Sequence, residues 1–143
     1  MKGITFWLCA AVAAVLAHAT ARADDANTMP VDERVEVNGF ELACTGVGDE
    51  ARNDPRWRAF ALRIEFANRD AQYLSDIDVA VSDASGALFD VRCESPWLLA
   101  DLPPGKYTIV GTFEGITKTV QATAPSTGQA RIVIRFPEVA GDS

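Results

Sequence analysis

Apolar residues recur at every second position in several short runs of this chain, which is the period of a β-strand with one buried face. In the clearest run, alternate apolar side chains share one face: Phe60, Leu62, Ile64 and Phe66. The residues between them, including Arg63 and Glu65, are predicted to face outward. Comparable runs follow along the chain at residues 77–82, 89–93, 95–100, 107–113, 116–123 and 131–136.

Turn signals separate these runs at regular intervals. Asn38-Gly39 lies between two short alternating runs and marks either a tight hairpin turn or a bulge, so residues 34–45 form one or two strands. In Leu102-Pro103-Pro104-Gly105-Lys106-Tyr107, two prolines cannot donate to a strand ladder and the glycine accepts a positive φ. The pattern predicts an all-β, seven- to eight-stranded antiparallel β-sandwich with almost no helix.

The N-terminal residues have the composition of a secretory signal peptide. Lys2 precedes an apolar core, and Ala21-Arg22-Ala23 is a small-x-small cleavage site. A transmembrane anchor is the alternative, but the apolar run is too short for one. We therefore predict a signal peptide (1–23), a flexible leader (24–33), a sandwich domain (34–137) and a C-terminal tail (138–143). The protein is expected in the periplasm or outside the cell, with no membrane insertion after cleavage.

Net charge and histidine content exclude several classes of partner and of catalytic site. Removal of residues 1–23 takes away two basic residues and no acid, so the net charge changes from −7 to −9. Such a charge disfavours nucleic acid and anionic membranes as partners. The single histidine, His18, leaves with the signal peptide. This excludes Ser-His-Asp and Cys-His catalysis, histidine metal sites and histidine pH switches in the mature chain.

Two cysteines, Cys44 and Cys93, remain after cleavage in a compartment that permits oxidation. One disulfide is the expected outcome, contributing about 4 kcal/mol by the chain-entropy estimate. Two buried free thiols are the alternative. A zinc site of two cysteines lacks the other ligands that structural zinc takes, and no cofactor is predicted.

Few residues are candidates for a catalytic, metal-binding or partner-binding role. Asp76 and Asp78 are two apart on a predicted strand and could bind calcium or act as an acid-base pair, but solvated carboxylates on an outer face are the simpler interpretation. Trp57 and Trp97 are candidate partner contacts. Trp97 is expected to be partly buried, and Trp57, which lies between two arginines in a loop, is the better candidate for an exposed contact.

Four segments resemble a known family: residues 59–66, 71–77 (Ala-Gln-Tyr-Leu-Ser-Asp-Ile), 83–86 (Asp-Ala-Ser-Gly) and above all 98–107 (Leu-Leu-Ala-Asp-Leu-Pro-Pro-Gly-Lys-Tyr). They are similar to the carboxypeptidase regulatory-like domain, in particular to small exported proteobacterial proteins consisting of that domain alone. The resemblance spans residues 59–136. It implies a prealbumin-like (transthyretin-like) sandwich without catalytic activity, and it carries over no functional residue.

The sequence therefore predicts a non-catalytic exported module that binds a protein or polysaccharide of the cell envelope. One alternative is an inhibitor or immunity-type protein against an envelope-acting enzyme. Another is a glycan hydrolase with two acids about 5–10 Å apart. A ligand pocket between the sheets or at a dimer interface is the third. The sequence identifies no particular partner and no oligomeric state.

Overall fold

The computed structural model describes residues 27–137, and strands make up 59% of them. Nine strands form two sheets that pack face to face, and one short α-helix lies in a connection between strands. The predicted all-β antiparallel sandwich is confirmed, with nine strands instead of seven or eight. The predicted signal peptide and C-terminal tail lie outside the described residues.

One sheet has five strands, which are, in spatial order, β1 (Arg34–Val37), β2 (Phe40–Thr45), β6 (Trp97–Asp101), β3 (Leu62–Asn68) and β9 (Ala130–Phe136). The hairpin between β1 and β2 turns at Asn38 and Gly39, which have φ angles of 51° and 87°. Two left-handed residues match the twist of a tight hairpin, so Asn-Gly forms a turn here rather than a bulge. The pairing of β3 with β9 is parallel, whereas the other pairs of this sheet are antiparallel.

The second sheet has four strands, which are, in spatial order, β5 (Gly86–Cys93), β4 (Ile77–Asp83), β7 (Gly105–Phe113) and β8 (Ile116–Ala124). All of its pairs are antiparallel. The inner faces of the two sheets meet in one core, whose largest buried side chains include Leu42, Leu62, Ile64, Phe66, Ile77, Leu98, Ile109, Ile134 and Phe136. These are the apolar members of the alternating runs, so the period of two sets the core.

A disulfide joins the two sheets covalently. Cys44 of β2 and Cys93 of β5 are bonded, with their Cα atoms 5.6 Å apart, as expected from the sequence. Beside this bond, residues 27–32 cross from one sheet to the other. The Met29 amide donates to the Arg92 carbonyl, and the Asp32 amide donates to the Cys44 carbonyl. This part of the predicted flexible leader is thus packed on the sandwich, and the Met29 side chain is buried.

The proline-rich turn before β7 has an architectural role. The hydroxyl of Tyr107 donates a hydrogen bond of 2.6 Å to the carbonyl of Pro103, while its ring is buried in the core. Burial raises the pKa of this hydroxyl. The last residue of the Leu-Pro-Pro-Gly-x-Tyr segment is therefore hydrogen-bonded to the turn that the prolines form, and this bond fixes the turn against the core.

The connection between β2 and β3 covers the outer face of the five-stranded sheet. It contains α1 (Asp49–Arg52) and a 3-10 helix (Pro55–Ala59), and it brings Trp57 and Phe60 against Ala43 and Leu99. Trp57, the better of the two candidates for an exposed contact, is only 3% exposed and therefore buried. Phe60 precedes β3 and belongs to this outer cluster rather than to the core face of the strand.

No helix within residues 27–137 has the length and apolar character needed to span a bilayer.

Candidate functional site

A buried carboxylate lies on the outer face of the five-stranded sheet. Glu65 occupies an outward position of β3, as the alternation predicts, yet it is only 1% exposed. The neighbouring register pair explains the need for a negative charge. In the parallel pair, Arg63 of β3 lies opposite Arg131 of β9. Like charges opposite each other destabilise a sheet, and Glu65 places a carboxylate between them.

Four hydrogen bonds converge on this carboxylate. Arg131 binds it in a bidentate manner, with Nε donating to Oε2 at 2.5 Å and a terminal nitrogen donating to Oε1 at 3.0 Å. The Nε of Arg63 donates to the same Oε2 at 2.9 Å, and the Tyr73 hydroxyl donates to Oε1 at 3.1 Å. Charge-assisted bonds of this kind are the strongest hydrogen bonds available to a protein.

The ionised form of Glu65 is the stable one. Burial by itself would raise the pKa of this carboxyl, but the hydrogen bond from Arg131 and the charges of Arg131 and Arg63 outweigh it and hold the pKa below its usual range. The same contact raises the pKa of the Arg131 guanidinium. At neutral pH Glu65 is ionised and both of its oxygens already accept hydrogen bonds. Glu65 therefore orders its neighbours rather than transferring protons.

Two aromatic rings extend this arrangement along the sheet. The guanidinium of Arg63 lies 4.5 Å from the ring centre of Trp97, and that of Arg52 lies 5.1 Å from the ring centre of Tyr73. The Nε of Arg52 also donates to the Gly46 carbonyl at 2.9 Å. Gly46 in turn packs directly on the Trp97 indole, where a Cβ would lie 2.7 Å from a ring carbon.

We refer to these residues as the Glu65 cluster, which comprises Arg52, Arg63, Glu65, Tyr73, Trp97 and Arg131. Arg52 and Arg63 each make a hydrogen bond and a cation–π contact, and Arg131 is held by two hydrogen bonds to Glu65. The side chains of Arg52 and Arg131 nevertheless remain 38% and 55% exposed. The cluster therefore presents positive charge to solvent in fixed positions.

A cleft of about 230 Å³ adjoins the cluster. It is lined by Gly46, Val47, Arg52, Tyr73, Leu74, Ser75 and Pro96. Val47 and Tyr73 are among the few exposed large apolar side chains of residues 27–137, at 64% and 42%. Apolar side chains thus line the cleft, and Arg52 supplies a positive charge at its edge.

The two tryptophans that were candidate partner contacts are both buried. Trp97 is 5% exposed, as its expected partial burial implied, and it lies within the Glu65 cluster. Trp57 belongs to the 3-10 helix and is buried, with the Arg56 guanidinium 4.6 Å from its ring centre. Neither indole nitrogen has an acceptor among the described residues, so the two rings act through their apolar surface.

The predicted acidic pair is not a metal site in the described part of the chain. Asp76 precedes β4 with a φ of 63°, and Asp78 forms an ion pair with Arg92 at 3.4 Å. Within residues 27–137, no group of three acidic, histidine or cysteine side chains is arranged to hold a metal ion.

No model of a known protein family and no curated protein matches this chain. Membership of the carboxypeptidase regulatory-like family thus stays a prediction.

The Glu65 cluster was not predicted from the sequence. A usable signal was present, because Arg63, Glu65 and Arg131 all occupy outward positions of predicted strands. The missing information was which strand pairs with β3, since β9 follows it by more than sixty residues and is parallel to it.

Proposed function

We propose that the protein is a non-catalytic interaction module of the cell envelope, exported by its N-terminal signal, that binds a partner through the outer face of the five-stranded sheet. The observation that carries this proposal is the Glu65 cluster with its adjoining cleft. Tyrosine, tryptophan and arginine are the residue types that dominate the energy of protein interfaces. Side chains already fixed in position lose little entropy when a partner binds.

The chemistry of the site favours binding over catalysis. The Glu65 carboxylate is saturated by donors, and its pKa is held low, so it is a poor general acid or base at neutral pH. Asp78 is engaged by Arg92. A glycan hydrolase would need two carboxylic groups facing each other across a cleft, and the cleft beside the Glu65 cluster is lined by no acidic residue. Asp76, Asp78 and Glu114 line a separate cleft of about 320 Å³, where Arg92 pairs with Asp78.

Periplasmic or extracellular location is part of the proposal. The disulfide between Cys44 and Cys93 is compatible with an oxidising compartment, in which such bonds persist. The resemblance to the carboxypeptidase regulatory-like domain favours a binding module as well, since that domain is not catalytic. The inhibitor or immunity-type alternative would in addition require that binding lowers the activity of an envelope-acting enzyme.

The test uses the exported protein immobilised on a resin and exposed to a detergent extract of the cell envelope. Val47→Glu places a negative charge in the cleft at an exposed position, so it leaves the core intact. Thr119→Glu adds the same charge to an exposed position on the other sheet and is the matched control. We expect a component retained by the wild type and by Thr119→Glu but lost with Val47→Glu. A retained set that is identical for all three proteins would contradict the proposal.

A further inference from the structure

The charge of the Glu65 cluster is opposite to that of the whole protein. The complete chain has a net charge of −7, yet the cluster combines three guanidinium groups with the Glu65 carboxylate, and Asp49, 3.9 Å from Arg52, is the other acidic partner within residues 27–137, so positive groups still outnumber negative ones here. A local excess of positive charge on an acidic protein repels cations and concentrates anions at that position. The complementary partner surface is therefore acidic.

The arginines keep donors available for such a surface. Arg63 uses its Nε on Glu65 and leaves both terminal nitrogens without an acceptor in residues 27–137. Arg131 uses its Nε and one terminal nitrogen. Because both arginines donate to the same carboxylate oxygen, their guanidinium groups are neighbours. Guanidinium donors in a fixed fork match the geometry of a carboxylate.

The cleft at the Arg52 and Tyr73 side of the cluster is small and mostly apolar. Its volume of about 230 Å³ is below the range of about 300–1,000 Å³ typical of small-molecule pockets. Val47 and Tyr73 contribute apolar surface, and Tyr73 reaches the cluster through its hydrogen bond to Glu65. An apolar contact and a carboxylate contact are thus available to one short segment.

The aromatic rings of this face favour a peptide over a sugar chain. Sugars bind proteins largely by stacking on an open aromatic face. Trp97 is buried between Gly46 and the Arg63 guanidinium, and Arg52 lies over the Tyr73 ring. Trp97 is closed to stacking, and Tyr73, although 42% exposed, has the Arg52 guanidinium over its ring, so the cluster offers little open ring surface to a sugar. The arginine donors and the apolar cleft suit a peptide better.

We propose that the Glu65 cluster recognises an acidic peptide segment of a partner protein. Carboxylates of the segment bind Arg63 and Arg131, and a neighbouring apolar side chain enters the cleft beside Val47. This inference rests on the proposed function and specifies the chemistry of its partner.

Display of random dodecapeptides on phage tests the inference directly. The bait is the protein purified after expression of the complete sequence. We expect the selected peptides to combine Asp or Glu with a large apolar residue nearby, and one such synthetic peptide to bind the wild type with a dissociation constant that rises with salt. The Val47→Glu variant should bind this peptide at least tenfold more weakly, whereas Thr119→Glu should bind it within about twofold of the wild type.

A second variant removes a guanidinium without leaving a buried charge. The double substitution Glu65→Gln with Arg131→Gln keeps the net charge of the protein and the polar character of both positions. We expect about tenfold weaker peptide binding, because one set of charge-assisted bonds to the peptide is lost. Thermal unfolding of the variant confirms that the fold is retained.

Three results would overturn the inference: no enriched peptides, enriched peptides without acidic residues, or equal binding to Val47→Glu. A polygalacturonate oligosaccharide is the anionic glycan probe, and its binding at the Val47-sensitive site in the absence of peptide binding would also overturn it. The proposed function fails separately, when no envelope component distinguishes Val47→Glu from Thr119→Glu.

Discussion

Truncation of Arg131 to alanine should lower the free energy of unfolding by about 2 kcal/mol. The change removes two of the four hydrogen bonds to Glu65, which is 1% exposed and has little water to replace them. Hydrogen bonds to charged groups contribute about 1.5–3 kcal/mol each, and breaking a buried ion pair costs about 3–5 kcal/mol.

Two features of the structure lower this value. The Arg131 side chain is 55% exposed, so solvent screens part of its attraction to Glu65. In addition, Arg63 and Tyr73 continue to donate to the carboxylate after the truncation. The remaining charge is therefore partly compensated, which gives the expected value of about 2 kcal/mol.

The assay is urea unfolding at pH 7, followed by tryptophan fluorescence, in a double-mutant cycle of Arg131→Ala with Glu65→Gln. We expect a coupling free energy of about 1.5–2 kcal/mol between the two positions. Arg135→Ala is the matched control, because Arg135 is an exposed arginine of the same strand with no ion pair among the described residues. It should change stability by less than about 0.5 kcal/mol.

A coupling free energy below about 0.5 kcal/mol would refute the reasoning, since it would mean that the buried carboxylate gains little from its bidentate partner. An effect of Arg135→Ala equal to that of Arg131→Ala would refute it as well. In that case the loss would reflect the general charge of the strand rather than the contact with Glu65.

Three further predictions follow from the same structure. The folded-state pKa of Glu65 is lowered, so its stabilising contribution is present above the ordinary glutamate pKa of about 4.3 and is lost as the pH falls through the folded value. The stability difference between the wild type and Arg131→Ala should therefore shrink on acidification. Urea unfolding of both proteins from pH 7 to pH 3 measures this difference. Gly46→Ala should lower the free energy of unfolding by about 3 kcal/mol, because the φ of Gly46 is +109° and the new Cβ would meet the Trp97 indole. Gly39→Ala, with φ +87° and nothing within 4 Å, should lower it by only about 1 kcal/mol. Equal losses of stability in thermal unfolding would contradict the close packing of Gly46 on Trp97. Replacing both disulfide cysteines by alanine should cost about 4 kcal/mol, given a separation of 49 residues, and denaturant unfolding with and without reductant checks this, since reductant should affect the wild type alone.

Local sequence patterns were sufficient to predict the strands and most of the core. A period of two specifies which side chains share a face, and it placed Leu62, Ile64 and Phe66 correctly. The Asn-Gly pair indicated a turn or a bulge, because both residues accept a positive φ, and the structure has the turn. Two cysteines left after the predicted signal cleavage predicted the bond that joins the sheets.

The tertiary structure alone decided which outward positions are covered. Alternation directs Glu65 away from the core but contains no information about what packs over that face. Its burial depends on β9, a distant strand that pairs in parallel and brings Arg131 beside Arg63, and on Tyr73 from the connection after β3. Trp57 illustrates the same limit, because its arginine neighbours suggested exposure while the fold laid its ring on the sheet. Long-range pairing depends on the whole chain, so the candidate binding face emerges only once the strands are assembled.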